Sequence, residues 1–402
     1  MDPTPCAPLV LAAFTATSGI GVGNAATLAS LRTQRGGLRP CDFDGADVPT
    51  WVGAVDAAGA QPLPPEWHRY DCRNNRLAEL ALGQDGLLER VRAAAGRHGR
   101  QRIGVFLGTS TSGILETERA YRRREPADGA LPPDFDYRGT HNAFSTVDYL
   151  RGRCGLAGPA ATVCAACASS AKVFAVARRM IAADVIDAAL VGGVDSLCLT
   201  TLYGFHSLQL LAPGPCRPFD AARDGLSIGE AAAFALLERA PSSLDPDAVL
   251  LLGTGESSDA HHMSTPHPEG LGARIAIERA LGDARLDAQA IDYLNLHGTG
   301  TPSNDRAESR AVLATCGASV PCSSTKGATG HTLGAAGALE AVLSSLCLGA
   351  GLLPAGLGTA QVDAALGVNY LTGNRPAPLR RVLSNSFGFG GANCCLVLGT
   401  AG

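Results

Sequence analysis

The chain has 402 residues, 46% of them apolar and 17% charged, with a formal net charge of -4. That length supports one large cored domain or two mid-sized ones, and the slightly acidic balance argues against a protein that grips nucleic-acid phosphates. Apolar runs such as Ala231–Leu237 and Ala248–Leu252 are strand-sized, so no membrane span is expected, and Met1–Pro8 lacks the basic start of a secretory signal. Thirteen cysteines, an odd number spread over a long chain, read as reduced thiols in a cytoplasmic protein and not as a disulfide framework.

In chain order, Leu9–Phe14 reads as a strand, Gly19–Gly23 as a turn and Ala25–Leu31 as an amphipathic helix. Pro40–Pro65, rich in Pro, Gly and Asp, reads as an excursion, and Asn74–Ala95 as one helical pattern. The strand Arg102–Leu107 runs into the loop Gly108–Gly113, followed by a charged helix, Glu116–Arg124, and a polar connection, Glu125–Gly139. The strand Ala161–Cys164 enters the helix Ala168–Ala182, and Ala188–Val191 is a strand closed by Gly192 and Gly193. Pro241–Asp247 forms a seam, which divides the chain into residues 1–240 and 241–402. Beyond it come strand Val249–Leu252, helix Gly272–Leu281, strand Tyr293–Leu296, helices Asp305–Thr315 and Gly334–Leu348, and strand Cys394–Leu398. Strands alternating with helices predict an α/β protein with largely parallel sheets. Val163–Ala182 and Pro321–Leu348 each pass from an apolar strand through small residues into an Ala-rich helix, which points to an internal duplication.

Four segments pair a reactive side chain with small residues that expose it. Cys167 sits at a predicted helix start, where the dipole and free N–H groups lower a thiol pKa, so it is expected to be the first thiol alkylated. Cys164 and Cys167 are also compatible with buried packing or a redox pair; zinc would need a second ligand pair, and no metal is expected. His297 leaves a strand into Gly298-Thr299-Gly300, with Asp305 expected to cap the next helix through Glu308. Lys326 and His331 lie five apart among small residues that lack the phosphate-loop order. Only Lys172 and Lys326 are lysines, against 31 arginines, so the position of Lys326 is expected to need a compact ammonium, while Lys172 carries no assigned role. In the fourth segment, Phe387 and Phe389 alternate with glycines before the last strand, a pattern that brings a backbone N–H to a ligand beside an aromatic gate. One Cys, two His and one Lys at element ends suggest covalent catalysis on a thioester with neutral imidazoles as oxyanion donors.

These segments, with Cys216-Arg217-Pro218-Phe219-Asp220, Arg223-Asp224-Gly225, Gly229-Glu230, His262-Met263 and His297-Gly-Thr-Gly-Thr-Pro, resemble the elongating β-ketoacyl-acyl carrier protein synthases of the thiolase-fold superfamily. The resemblance implies a duplicated α/β core with two sheets sandwiched between helix layers. It also implies decarboxylative condensation of an enzyme-bound acyl thioester with malonyl-acyl carrier protein, without a cofactor. By it, Cys167 takes the acyl chain, and His297 and His331 bind the malonyl thioester carbonyl. Lys326 organises His331, the N–H groups of Cys167 and Phe389 form the oxyanion hole with Phe389 as gate, and Asp305 and Glu308 support the site. Thr111 occupies the acyl-pocket floor, where fatty-acid enzymes place a larger apolar residue. Arg69, Arg73 and Arg76, with His68, or Arg122–Arg124, are the basic candidates for acyl- and malonyl-loaded carrier protein. Asn74-Asn75-Arg76 and Ser324-Thr325-Lys326-Gly327 resemble ketosynthases of aryl-polyene type II clusters, and either a homodimer or a ketosynthase-like heterodimer is implied. The competing reading is a chain-length-shaping partner subunit of such a heterodimer; those partners lack the nucleophile that Cys167 supplies here.

Overall fold

In the computed structural model, which describes residues 7–402, two sets of five strands follow the same order. The first set runs Ala160–Val163, Ile103–Gly108, Ala188–Asp195, Ala231–Arg239, Leu9–Ser18 across the sheet. The second runs Pro321–Ser323, Tyr293–Asn295, Arg381–Gly388, Ala392–Thr400, Val249–Ser258, with the short strand Asn369–Tyr370 added at its outer edge. In both sets the first three strands are parallel and the last two antiparallel to their neighbours. The sets join edge to edge, where Leu9 and Val10 pair with Leu251 and Leu250. The sheets are thus mixed, not largely parallel. Parallel pairing is confined to the strands that a crossover helix connects, as chain reach requires.

Three layers of helices enclose the sheets. The helices Ser169–Ala182 and Ala336–Ala350 share one buried cluster with the inner faces of both strand sets. Arg73–Leu82, Leu87–His98 and Ser145–Cys154 cover the outer face of the first set, and Leu271–Ala284 with Pro302–Thr315 the outer face of the second. Strand alternation is visible in Cys394 and Cys395: the first joins the central cluster and the second the outer one. The stretch Leu333–Ala350 is apolar and long enough to cross a membrane, with mean hydropathy 1.6, but 83% of it is buried between the strand sets, which accounts for its composition. A Cβ on Gly337 of that helix would lie 2.6 Å from the Ala171 backbone nitrogen, so the two central helices touch backbone to backbone.

Several elements differ from the sequence reading. The pattern Asn74–Ala95 is two helices, because Asp85 and Gly86 are both left-handed. The strand from Ala188 continues through Gly192 and Gly193 to Asp195, and the helix Ser145–Cys154 and strand Arg381–Gly388 are additional. The excursion after Pro40 contributes Trp51–Gly53 to a small sheet with Arg39–Pro40 and Ile228–Gly229. Most of Met1–Pro8 lies outside the described residues.

Candidate active site

The four reactive segments, each following a strand of one or the other set, meet in one place. After Ala160–Val163 the chain makes a tight turn, with Ala166 left-handed at φ 48°, before the helix starting at Ser169. The Ser169 hydroxyl holds this turn: it accepts from the Ala165 N–H at 2.8 Å and donates to the Ala166 carbonyl at 2.5 Å. Cys167 is thereby buried with its Sγ 3.0 Å from His331 Nε2. The thiol is pushed up to about 12, not lowered: burial outweighs the Lys326 charge and the N–H groups of Phe389 and Cys167 directed at the sulfur. A Cβ on Gly388 would meet Ala165 O, Ala168 N and Cys167 N at 2.8–3.1 Å, so only glycine lets the Phe389 loop come this close to Cys167.

His331 follows Gly330 and is fixed through its backbone, which donates to Ser227 O at 2.7 Å and accepts from Gly229 N at 2.9 Å. Its Nδ1 is buried without a partner, so no hydrogen bond fixes the tautomer and Nε2 is free to accept or donate. The His297 ring stands edge-on to it, 5.2 Å between centroids. Burial, followed by the Lys326 charge, holds both imidazoles well below the ordinary histidine range, hence neutral.

Lys326 departs from expectation. Its Nζ lies 3.3 Å from His297 Nδ1, so it positions His297 and not His331, whose ring is already aimed by its own backbone. An ammonium only donates, which makes Nδ1 the acceptor and leaves the His297 proton on Nε2, away from the lysine. The counter-charge is Glu340, fully buried and hydrogen-bonded to Lys326; burial raises its carboxyl to about 7 against the pull of the ammonium. Sequence reasoning missed Glu340, although its standing as the lone charged residue of an apolar helix was a signal for it.

Asp305 and Glu308 do not form a capping pair: the helix starts at Pro302, which places Asp305 inside it. Both instead accept hydrogen bonds from the preceding loop. Glu308 binds the N–H groups of His297 and Gly298, each at 2.7 Å, and Asn385 Nδ2 at 3.0 Å. Asp305 binds Thr299 N and, across the cleft, Phe219 N. Sequence reasoning also missed Asp195. Buried Asp195 accepts from Thr109 Oγ1, Ser110 N, both Thr111 N and Oγ1, and Gly334 N three residues beyond His331. It ties the loop against the Cys167 turn to the segment carrying His331.

A narrow cavity opens onto Cys167, His297 and His331, with Phe205, His262, Pro266 and Phe389 among its walls. The rings of Phe389 and Phe205 lie 5.6 Å apart. Thr111 is not on this wall, because its hydroxyl is turned onto Asp195 at 2.8 Å. The three arginines named for the carrier protein are not on it either. Arg73 is committed to buried Glu230 and Arg76 to Asp71 by paired hydrogen bonds. Arg69 stays exposed, 3.7 Å from Asp136, and His68 and Arg122–Arg124 are exposed too. Lys172 pairs with Glu256 at 3.0 Å, remote from this chemistry.

Residues 77–242 match the beta-ketoacyl synthase N-terminal domain and residues 248–360 its C-terminal domain. The 3-oxoacyl-[acyl-carrier-protein] synthase 2 of Coxiella burnetii is 33% identical over 74% of this chain and 75% of its own. The mitochondrial 3-oxoacyl-[acyl-carrier-protein] synthase of Arabidopsis thaliana is 35% identical over 74% of this chain and 68% of its own. Among solved structures, the complex of a ketosynthase with its chain length factor from Xenorhabdus doucetiae matches all of both chains with TM-score 0.89 at 38% identity. With both domains matched in order, the chain belongs to the beta-ketoacyl synthase family.

Proposed function

We propose that this chain joins an acyl group held on Cys167 to a malonyl unit delivered as its carrier-protein thioester. The observation that carries this is the convergence of Cys167 Sγ, His331 Nε2 at 3.0 Å, His297 and the Phe389 loop in one cavity. In the first half-reaction Cys167 attacks the acyl thioester and His331 takes the thiol proton as attack proceeds, then returns it to the leaving carrier thiol. The raised thiol makes this proton transfer part of the step, since little free thiolate precedes it. The N–H groups of Cys167 and Phe389 receive the oxyanion. In the second, the malonyl carbonyl accepts from Nε2–H of His297 and His331. Loss of CO2 then leaves an enolate held by two neutral donors. Its carbon attacks the acyl thioester, Cys167 leaves as thiolate, and one proton from solvent restores the thiol. The assembled nucleophile and both histidines favour a catalytic subunit over a chain-length-shaping one.

The partner is a homologous subunit. Ala160–Val163 is an open sheet edge, half-buried and uncharged, with exposed Cys164 at its end and exposed Phe144 on the adjoining segment. Two structural relatives, at 38% and 28% identity, are ketosynthases with chain length factors, which favours a heterodimer. The carrier protein binds at the cavity mouth, with Arg69 the exposed member of its arginine group. The twelve described cysteines are all unpaired, consistent with a cytoplasmic setting. Intact-mass analysis after incubation with acyl-carrier protein tests the core reading: an acyl adduct on Cys167, and β-ketoacyl product on adding malonyl-carrier protein, are expected. No adduct, or an adduct retained in Cys167→Ala, would overturn it.

A further inference from the structure

The Cys167 sulfur and one ring nitrogen each of His297 and His331 lie within 4.8 Å of one another, all buried. A thiolate and two imidazoles form a complete protein ligand set for a zinc-class cation, with the fourth position left to water. The donors line a narrow cavity that opens to solvent, so an ion has an entry path and a water can fill its fourth position. Capture of zinc would occupy the very sulfur that must attack a thioester, so something in the site must weigh against it.

Lys326 does so in two ways. Its ammonium is 3.3 Å from His297 Nδ1 and hydrogen-bonded to Glu340 behind it. Because the ammonium offers only donors, it fixes the His297 proton on Nε2, the nitrogen facing the cavity. A protonated nitrogen has no lone pair for a metal, and switching the tautomer would set N–H against N–H. The fixed positive charge also repels a dication in a buried site, where charges are weakly screened. We propose that Lys326 is a metal-exclusion residue, which keeps a ready-made Cys–His–His site free of zinc-class cations. Metal binding without it is balanced as follows: the cation replaces the Cys167 thiol proton, which leaves to buffer, while the His297 proton moves from Nε2 to Nδ1.

The test uses the full chain, cadmium as a spectroscopic probe of thiolate ligation and zinc competition against a chromogenic chelator. Lys326→Met is the direct variant. Lys326→Met combined with Glu340→Gln avoids leaving a buried carboxylate without its counter-charge. Either variant is expected to bind one zinc at least about 100-fold more tightly than the parent chain, with a thiolate-to-cadmium absorption band that Cys167→Ser removes. The readout is metal binding and not turnover, so it stands or falls apart from the condensation reading. Parent-chain affinity equal to that of the variants, or no Cys167-dependent band in a folded variant, overturns the proposal; tight zinc binding by the parent chain alone does so without any variant.

Discussion

Lys326→Arg preserves charge and alters shape, so it separates a positioning role from a purely electrostatic one. Lys326 is 1% exposed, and its Nζ serves two acceptors at once, His297 Nδ1 and the Glu340 carboxylate. A guanidinium cannot place one compact donor between them: its planar fork needs more volume than the ammonium vacates. The charge-assisted bond to Nδ1 is worth about 1.5–3 kcal/mol, and at 1.4 kcal/mol per decade its loss slows the step that depends on His297 by roughly 10- to 150-fold. Overpacking adds about 1–3 kcal/mol of destabilisation, visible as a lower Tm. Malonyl decarboxylation, followed by CO2 release, should bear this loss. Acylation of Cys167, followed by intact mass, uses the Cys167–His331 contact and should fall much less. Equal losses in both steps, or a normal decarboxylation rate, would refute the assignment of Lys326 to His297.

Other consequences follow from the same contacts. Glu308 must be ionised to accept from His297 and Gly298, and burial raises it to about 7; turnover should therefore fall as pH drops below about 7, and Glu308→Gln should be slow at every pH, as a pH–rate profile will show. Asp195→Asn places an amide among the donors of Thr109, Ser110, Thr111 and Gly334, and should cost roughly 2–4 kcal/mol in denaturant unfolding with a slower Cys167–His331 acylation step. Cys164, exposed where Cys167 is buried and its thiol raised, should react first with iodoacetamide in the isolated chain and become protected when a homologous partner binds; peptide mapping reports both. Lys172→Arg should alter stability by less than about 0.5 kcal/mol in thermal unfolding, since Glu256 also holds Arg179.

What sequence reading recovered was chiefly local. Cys167, His297, His331 and the Phe389 loop each carry small neighbours that mark a strand end, and the fold brings all four to one cavity. Which lysine contact exists was not legible: Lys326 is nearer in sequence to His331 yet bonds His297, a contact 29 residues apart along the chain. Asp195 carried no local signal, since its donors come from residues 109–111 and 334, far apart along the chain. The arginines misled for the same reason. Arg73 and Arg76 look like a basic face in sequence, but Glu230 and Asp71, one of them distant, neutralise them in space.

The repeated strand order has a consequence for how the active centre could be assembled from parts. Cys167 and His331 sit at matching places, each between the first strand of its set, Ala160–Val163 or Pro321–Ser323, and the central helix that follows. The proposed nucleophile and base are therefore counterparts, one from each strand set. Neither repeat holds a working pair by itself. A chain cut within Pro241–Asp247 should behave as two inert polypeptides that regain thioester exchange only when mixed, and the mixing ratio for full recovery should be one to one.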